Sequence, residues 1–99
     1  MPTTDTVPRL TMPTVAVLDA LLAARATDPM WGLEICRSAD LGPGTVYPIL
    51  ARLAALGWVE ARDEEGPHPG RPGRRLYEFT AGGRKRAVGA LAARRARLL

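Results

Sequence analysis

Gly42-Pro43-Gly44-Thr45-Val46-Tyr47-Pro48-Ile49-Leu50-Ala51-Arg52-Leu53-Ala54-Ala55-Leu56-Gly57-Trp58 is the stretch that decides how this chain folds. Val46, Ile49, Leu50, Leu53 and Leu56 recur at three- and four-residue spacing, the pattern of a helix with one buried stripe. Thr45, Tyr47, Pro48, Ala51 and Arg52 fall on the opposite face. Paired glycines and prolines mark its start, Gly57 supplies a C-terminal stop, and Trp58 opens a strand. Pro48 lacks an N–H, and its ring crowds the carbonyl four residues back, which belongs to Gly44. A glycine relaxes there most cheaply, and the lost bond falls in the first turns, where donors are partly unpaired already. The expected outcome is a stiffened, slightly bent helix tip carrying small, hydroxyl-bearing and cationic side chains. Such a tip suits the major groove of DNA; a core helix with a polar back would give the same pattern in isolation.

Upstream, the pattern supplies two more helices. The first starts between Thr11 and Thr14, with Pro13 in its first turn. Val15, Leu18, Leu21, Leu22 and Ala26 are expected on its apolar face, with Thr14, Asp19 and Arg25 turned away. Asp28-Pro29 ends it, because the residue before a proline is pushed out of the helical region. Met30-Trp31-Gly32-Leu33-Glu34-Ile35-Cys36-Arg37 is expected to begin the second helix, with Leu33, Ile35 and Cys36 inward and Glu34 and Arg37 outward. The connector from Ser38 to Gly42 is short, so the second and third helices must cross at a sharp angle, as in a helix-turn-helix. Residues 1–10 have little to bury and read as a mobile arm.

Downstream, the periodicity changes from helix to strand. Trp58 to Arg62 alternates weakly, with Val59 and Ala61 on one face. Residues 63–73 are dense in glycine and proline, a loop, with Asp63-Glu64-Glu65 expected as a solvated charge run. Arg74 to Thr80 then alternates Leu76 and Glu78 against Arg75, Tyr77 and Phe79. The two strands make a hairpin, which after a helix-turn-helix is a wing. Arg71, Arg74 and Arg75 are placed to meet phosphates or the minor groove. Thr80 caps a last helix running to Leu99, in which Val88, Leu91, Ala92, Arg95 and Leu98 make a thin apolar stripe. Isolated helices of that length are marginal in water, so a second copy of the chain is implied, with Val88, Leu91 and Leu98 at the contact.

The fold class is therefore mainly α with a small β-hairpin: a winged helix-turn-helix over 11–80 and a dimerisation helix over 81–99. At 99 residues the chain is one small domain, a size that often gains stability by pairing. Net charge is +4, unevenly spread. Residues 1–61 balance to −2 and residues 62–99 to +6, an asymmetry that points to a polyanion. No apolar run reaches the roughly 20 residues of a membrane span, and the N-terminus lacks the design of a secretory signal. A single cysteine, Cys36, forms no internal disulfide and is expected as a small buried residue in a reducing cytoplasm. No constellation for catalysis, metal or cofactor stands out: the one histidine, His68, lies between prolines, and Gly42-Pro43-Gly44 lacks the Gly-Lys-Ser/Thr of a P-loop.

These residues resemble the PadR-like winged-helix transcriptional regulators. Gly44-Thr45-Val46-Tyr47-Pro48-Ile49-Leu50-Ala51-Arg52-Leu53 reads as that family's Gly-Thr-Val-Tyr-Pro-x-Leu-x-Arg-Leu motif. Met30-Trp31-Gly32-Leu33-Glu34-Ile35 is similar to its Met-Tyr-Gly-Tyr-Glu-Ile segment, with Trp and Leu in place of two tyrosines. Gly70-Arg71-Pro72 through Arg75, Tyr77, Thr80, Gly83 and Arg84 is similar to its wing and last helix. Gly42 stands where a serine cap is usual, and Ala54 where a glutamate is usual. The resemblance implies a homodimeric DNA-binding repressor that often senses a small molecule.

Particular roles follow. Gly44, Thr45, Tyr47, Pro48 and Arg52 are expected at the DNA from the third helix, with Arg71, Arg74 and Arg75 from the wing. Arg52 has an alternative partner in Glu34. Trp31 and Trp58 are either core aromatics or the walls of a slot near the dimer axis for a small aromatic effector. The partner implied is double-stranded DNA with inverted-repeat half-sites, and the rival reading is a winged helix that contacts another protein.

Overall fold

The computed structural model describes residues 10–24 and 29–98. Residues 1–9 of the expected arm over 1–10, and Arg25 to Asp28 at the expected end of the first helix, lie outside the described residues; Leu10 packs against the core rather than belonging to an arm, and α1 already closes at Ala23. Four helices and a three-stranded antiparallel sheet follow in the order α1 (Met12–Ala23), β1 (Met30–Trp31), α2 (Gly32–Ala39), α3 (Pro43–Ala55), β2 (Val59–Asp63), β3 (Arg75–Phe79) and α4 (Ala81–Leu98). This is the mainly helical winged-helix architecture expected.

Thr11 caps α1, its hydroxyl accepting the Thr14 N–H at 3.3 Å. The inward stripe of α1 is Thr14, Val17, Leu18 and Leu21, joined by Ala20. Val15 and Leu22 are only half-buried, which rotates the face from the one expected. Thr14 turns inward because its hydroxyl meets that of Thr11 at 3.0 Å, so burial leaves no polar atom without a partner.

Met30 and Trp31 do not begin α2. They form β1, pairing with Tyr77 and Leu76 at the free edge of β3. Trp31 stays extended, at φ −89° and ψ 161°, and its N–H donates to the Glu34 carboxylate at 3.2 Å. Glu34 so satisfies a donor that the first turn of a helix cannot. Ile35 and Cys36 are buried, whereas Leu33 is 40% exposed. Ile35 and Cys36 belong to the core, whereas Leu33 lines the cleft beside the wing.

In α3 the sequence pattern holds. Val46, Leu50 and Leu53 are buried, Ile49 and Leu56 are packed at the margin of the core, and Pro48 sits inside the helix on its exposed face. The helix closes with a paired C-terminal motif: the Gly57 N–H donates to Ala54 at 3.0 Å and the Trp58 N–H to Leu53 at 2.9 Å. Gly57 adopts φ +76°, which an L side chain rarely does. The chain then enters β2 at Val59.

β3 is central in the sheet, in the order β1-β3-β2. Tyr77 is buried and Phe79 half-buried on its core face, as the alternation requires. β2 leaves the core after Val59, so Ala61 is exposed rather than inward. Thr80 starts α4 by accepting the Gly83 N–H at 2.9 Å, while its hydroxyl donates to the Gly57 carbonyl at 2.8 Å. α4 packs Gly83, Ala87, Ala90 and Leu91 inward. Val88 and Leu98 remain exposed, at 51% and 69%.

Candidate nucleic-acid interface

The exposed tip of α3 carries Gly44, Thr45, Tyr47, Pro48, Ala51 and Arg52, all outside the core. A Cβ at Gly44 would meet nothing within 4 Å, so packing within the protomer does not require a glycine there. Tyr47 folds back toward α2, its ring lying over Gly32 so closely that a Cβ on Gly32 would fall 2.7 Å from Tyr47 Cε1. The ring is 39% exposed. Arg52 has no ion-pair partner among the described residues, and Glu34 is engaged at Trp31 instead.

The wing loop is more ordered than its composition suggests. Glu64 organises it: its carboxylate accepts both Arg71 guanidinium nitrogens at 2.8 and 3.2 Å, and His68 Nδ1 approaches the same group at 3.3 Å. Its backbone N–H donates to the Arg74 carbonyl at 2.8 Å, and its carbonyl lies 3.2 Å from His68 Nε2. The Arg71 hydrogen bond holds the Glu64 carboxyl below the usual carboxylate range, and the same bond raises Arg71 further above its own. Glu64 is therefore not part of a free charge run. The sequence signal was Glu64 and Arg71 flanking two turn glycines, Gly66 and Gly70, both at positive φ.

Each wing arginine is held differently. Arg71 forks onto Glu64. Arg75 Nε stands 3.7 Å from Asp63. Arg74 lies over the Trp31 indole, its guanidinium carbon 4.0 Å from the ring centroid. Arg37, exposed on α2 and not among the expected contacts, approaches the same ring at 5.9 Å. Deeper in the sheet, burial pushes the Tyr77 phenol above its ordinary range.

A cleft of about 380 Å³ lies between α2, the helix tip and the wing. Trp31, Leu33 and Tyr47 line it together with Arg71, Arg74 and Arg75. It brings Tyr47 to the three wing arginines, whereas Gly44, Thr45, Pro48 and Arg52 do not line it. The two tryptophans are not brought together. Trp31 is half-buried at the cleft, while Trp58 is 2% exposed within the core and its Nε1 has no hydrogen-bond partner among the described residues. Their separation corrects the expectation of a shared slot: Trp58 directly follows the stop of α3 and is enclosed by α4. Val88 and Leu98 face outward and Leu91 packs on its own protomer. Among the described residues no three ligating side chains gather as a metal site, and no helix is long and apolar enough to cross a membrane.

Solved structures of similar fold include a PadR family transcription regulator from Clostridium difficile R20291. It shares 18% identity at a TM-score of 0.68, over 86% of this chain and 88% of that one. The protein smu.1704 of Streptococcus mutans UA159 matches at 24% identity and TM-score 0.66, over 84% of this chain and 79% of that one. The S. aureus MepR–DNA complex matches at 17% identity and TM-score 0.66, over 84% of this chain and 63% of that one. At these identities the likeness speaks to fold alone. A search of curated proteins finds no relative. The family model of the "Transcriptional regulator PadR-like family" matches residues 21–88, more than half of the chain. The chain belongs to the PadR-like family of DNA-binding transcriptional regulators, whose members regulate transcription rather than catalyse reactions.

Proposed function

We propose that this chain is a homodimeric, sequence-specific repressor that binds inverted-repeat DNA in the cytoplasm. The observation that carries the reading is the shared cleft: Tyr47 of the α3 tip and Arg71, Arg74 and Arg75 of the wing face one space. Residues 11–80 form the DNA-binding unit. Gly44, Thr45, Tyr47, Pro48 and Arg52 enter or border the major groove, and the wing arginines take phosphates beside it. Residues 81–99 supply the dimer contact, supported by the exposed apolar side chains Val88 and Leu98. Leu91 steadies that helix on its own protomer.

A small aromatic effector is the second part of the proposal. With Trp58 enclosed, its recognition falls to Trp31 at the cleft, where a bound ring would displace DNA directly. A ligand shifts the equilibrium only by binding the DNA-free form better.

Binding across a salt series tests the main reading. Affinity should fall with a log–log slope of about −0.9 per phosphate contacted, inverted half-sites about one helical turn apart should be preferred, and Arg52→Ala and Arg71→Ala should each weaken binding in a folded chain. A chain indifferent to salt and to DNA would instead be a protein-interaction module. Tryptophan emission unchanged by planar aromatic compounds would remove the effector part.

A further inference from the structure

We infer that Trp31 is the positioning residue of the wing, and that Arg74, presented by it, is the wing's leading phosphate ligand. The inference rests on the DNA-binding reading above and adds to it which arginine acts first and what holds it ready.

The three wing arginines differ in which part of the guanidinium is occupied. A guanidinium donates hydrogen bonds only in its plane, through five N–H groups, and offers its faces to aromatic rings. Arg71 spends its edge on Glu64 at 2.8 and 3.2 Å and on the Pro72 carbonyl at 3.1 Å. Arg75 turns its Nε to Asp63 at 3.7 Å. To grip a phosphate, Arg71 must first leave or share its carboxylate, whereas the Arg75 contact exceeds hydrogen-bond reach and holds that side chain only loosely. Arg74 is different: its guanidinium carbon sits over the Trp31 ring at 4.0 Å, and no carboxylate lies within ion-pair distance of it among the described residues. A contact through the ring holds the group without using its N–H donors. Arg74 therefore stands positioned with its donors uncommitted among the described residues, the state in which a bidentate phosphate contact loses least conformational freedom.

Trp31 is itself fixed. Its backbone pairs with Leu76 of β3 and its N–H is held by Glu34. The indole thus sits where the start of α2 and the foot of the wing are one piece of structure. Arg37 of α2 reaches the same ring at 5.9 Å, near the limit of a cation–π contact. Trp31 gathers a second guanidinium beside the helix tip, so positive charge is concentrated between α3 and the wing rather than at the wing's end.

The test uses the full chain and a mixed-sequence DNA duplex, since phosphate contacts do not depend on sequence. Wild type, Arg71→Ala, Arg74→Ala, Trp31→Phe, Trp31→Leu and the Trp31→Leu/Arg74→Ala double variant are titrated at several salt concentrations. Arg74→Ala should weaken binding about tenfold, more than Arg71→Ala does, and reduce the salt slope by about 0.9. Trp31→Leu should weaken it roughly two- to fivefold, with Trp31→Phe retaining most of the affinity. In the Arg74→Ala background, Trp31→Leu should cost clearly less than it does in the wild type, leaving only the small share carried through Arg37. Losses that simply multiply, or an Arg74→Ala slope equal to wild type, overturn the inference. Should Trp31→Leu not fold, iodide quenching decides: removing Arg74 should uncover the Trp31 ring, and unchanged quenching overturns it. A wild-type chain that binds no duplex sinks the DNA-binding reading and this one with it. A wild-type chain that binds while the two residues act independently sinks only this one.

Discussion

Gly83 of α4 lies against the backbone of Trp58 with no room for a Cβ between them: one built there would stand 2.5 Å from Trp58 Cα and collide with the carbonyl oxygen. The obstacle is backbone, which cannot swing aside. Gly83→Ala should therefore destabilise the chain by about 1–3 kcal/mol from overpacking, and the roughly 1 kcal/mol that alanine adds to helix propensity offsets only part of it. Gly89, in the same helix, faces open space, so Gly89→Ala should stabilise by about 0.5–1 kcal/mol. Urea denaturation of the two variants should give opposite signs, and matching signs would refute the close approach.

Gly32 poses a different constraint, since what fills its Cβ position is the movable end of Tyr47. Gly32→Ala should displace the ring at a stability cost under about 1 kcal/mol. DNA binding should suffer as it does in Tyr47→Ala. Affinity measured for both variants, beside their melting temperatures, checks this; intact binding in Gly32→Ala would show that the folded-back ring is not needed.

The indole N–H of Trp58 is buried without an acceptor among the described residues. Such a donor carries a desolvation cost of about 1–3 kcal/mol. Trp58→Phe removes that donor while keeping most of the ring, so its net effect should stay within about 1 kcal/mol. Trp58→Ala should cost about 3–5 kcal/mol by opening a cavity in the core. Equilibrium unfolding of the pair separates loss of volume from relief of the stranded donor.

Glu64 sets the pH response of the wing. Its carboxyl is held below its ordinary range by Arg71, so the clasp is complete above the ordinary carboxylate range and is lost as pH falls through the lowered value. Hydrogen exchange at the Glu64 amide, which donates to Arg74, should accelerate relative to core amides under acid conditions, and Glu64→Gln should show the faster exchange already at neutral pH. Equal protection in the variant would mean that backbone turns alone order the loop. Both partners are exposed, so global stability should change little.

The parts of the fold that were legible in the sequence are those built from local rules. The stripe of Val46, Leu50 and Leu53, the stop at Gly57 and the cap at Thr80 each depend on residues within a few positions. Met30 and Trp31 were misread because nothing nearby makes them a strand; their partners, Tyr77 and Leu76, lie far along the chain. Leu33 turns outward for the same reason: it borders the cleft beside the wing, which is brought there by residues far along the chain. Gly83 looked like a weak helix residue, and only the approach of α4 to Trp58 gives it a purpose. At the interface, the arginines could be located by composition, but not what each was bound to. That depended on the wing folding back on itself at Glu64 and against Trp31.

β1 is only two residues long, yet it sets a dimension. The residues that precede α2 are also rungs of the ladder that carries the hairpin, so hairpin and α3 tip cannot drift apart separately. Slipping that ladder by one residue would move the hairpin by about 3.3 Å and turn Trp31 to the other side of the sheet. Under the proposed DNA-binding reading the spacing is set in steps, like a caliper, and a groove narrowed or widened by its own base sequence is expected to register as misfit before any base is read.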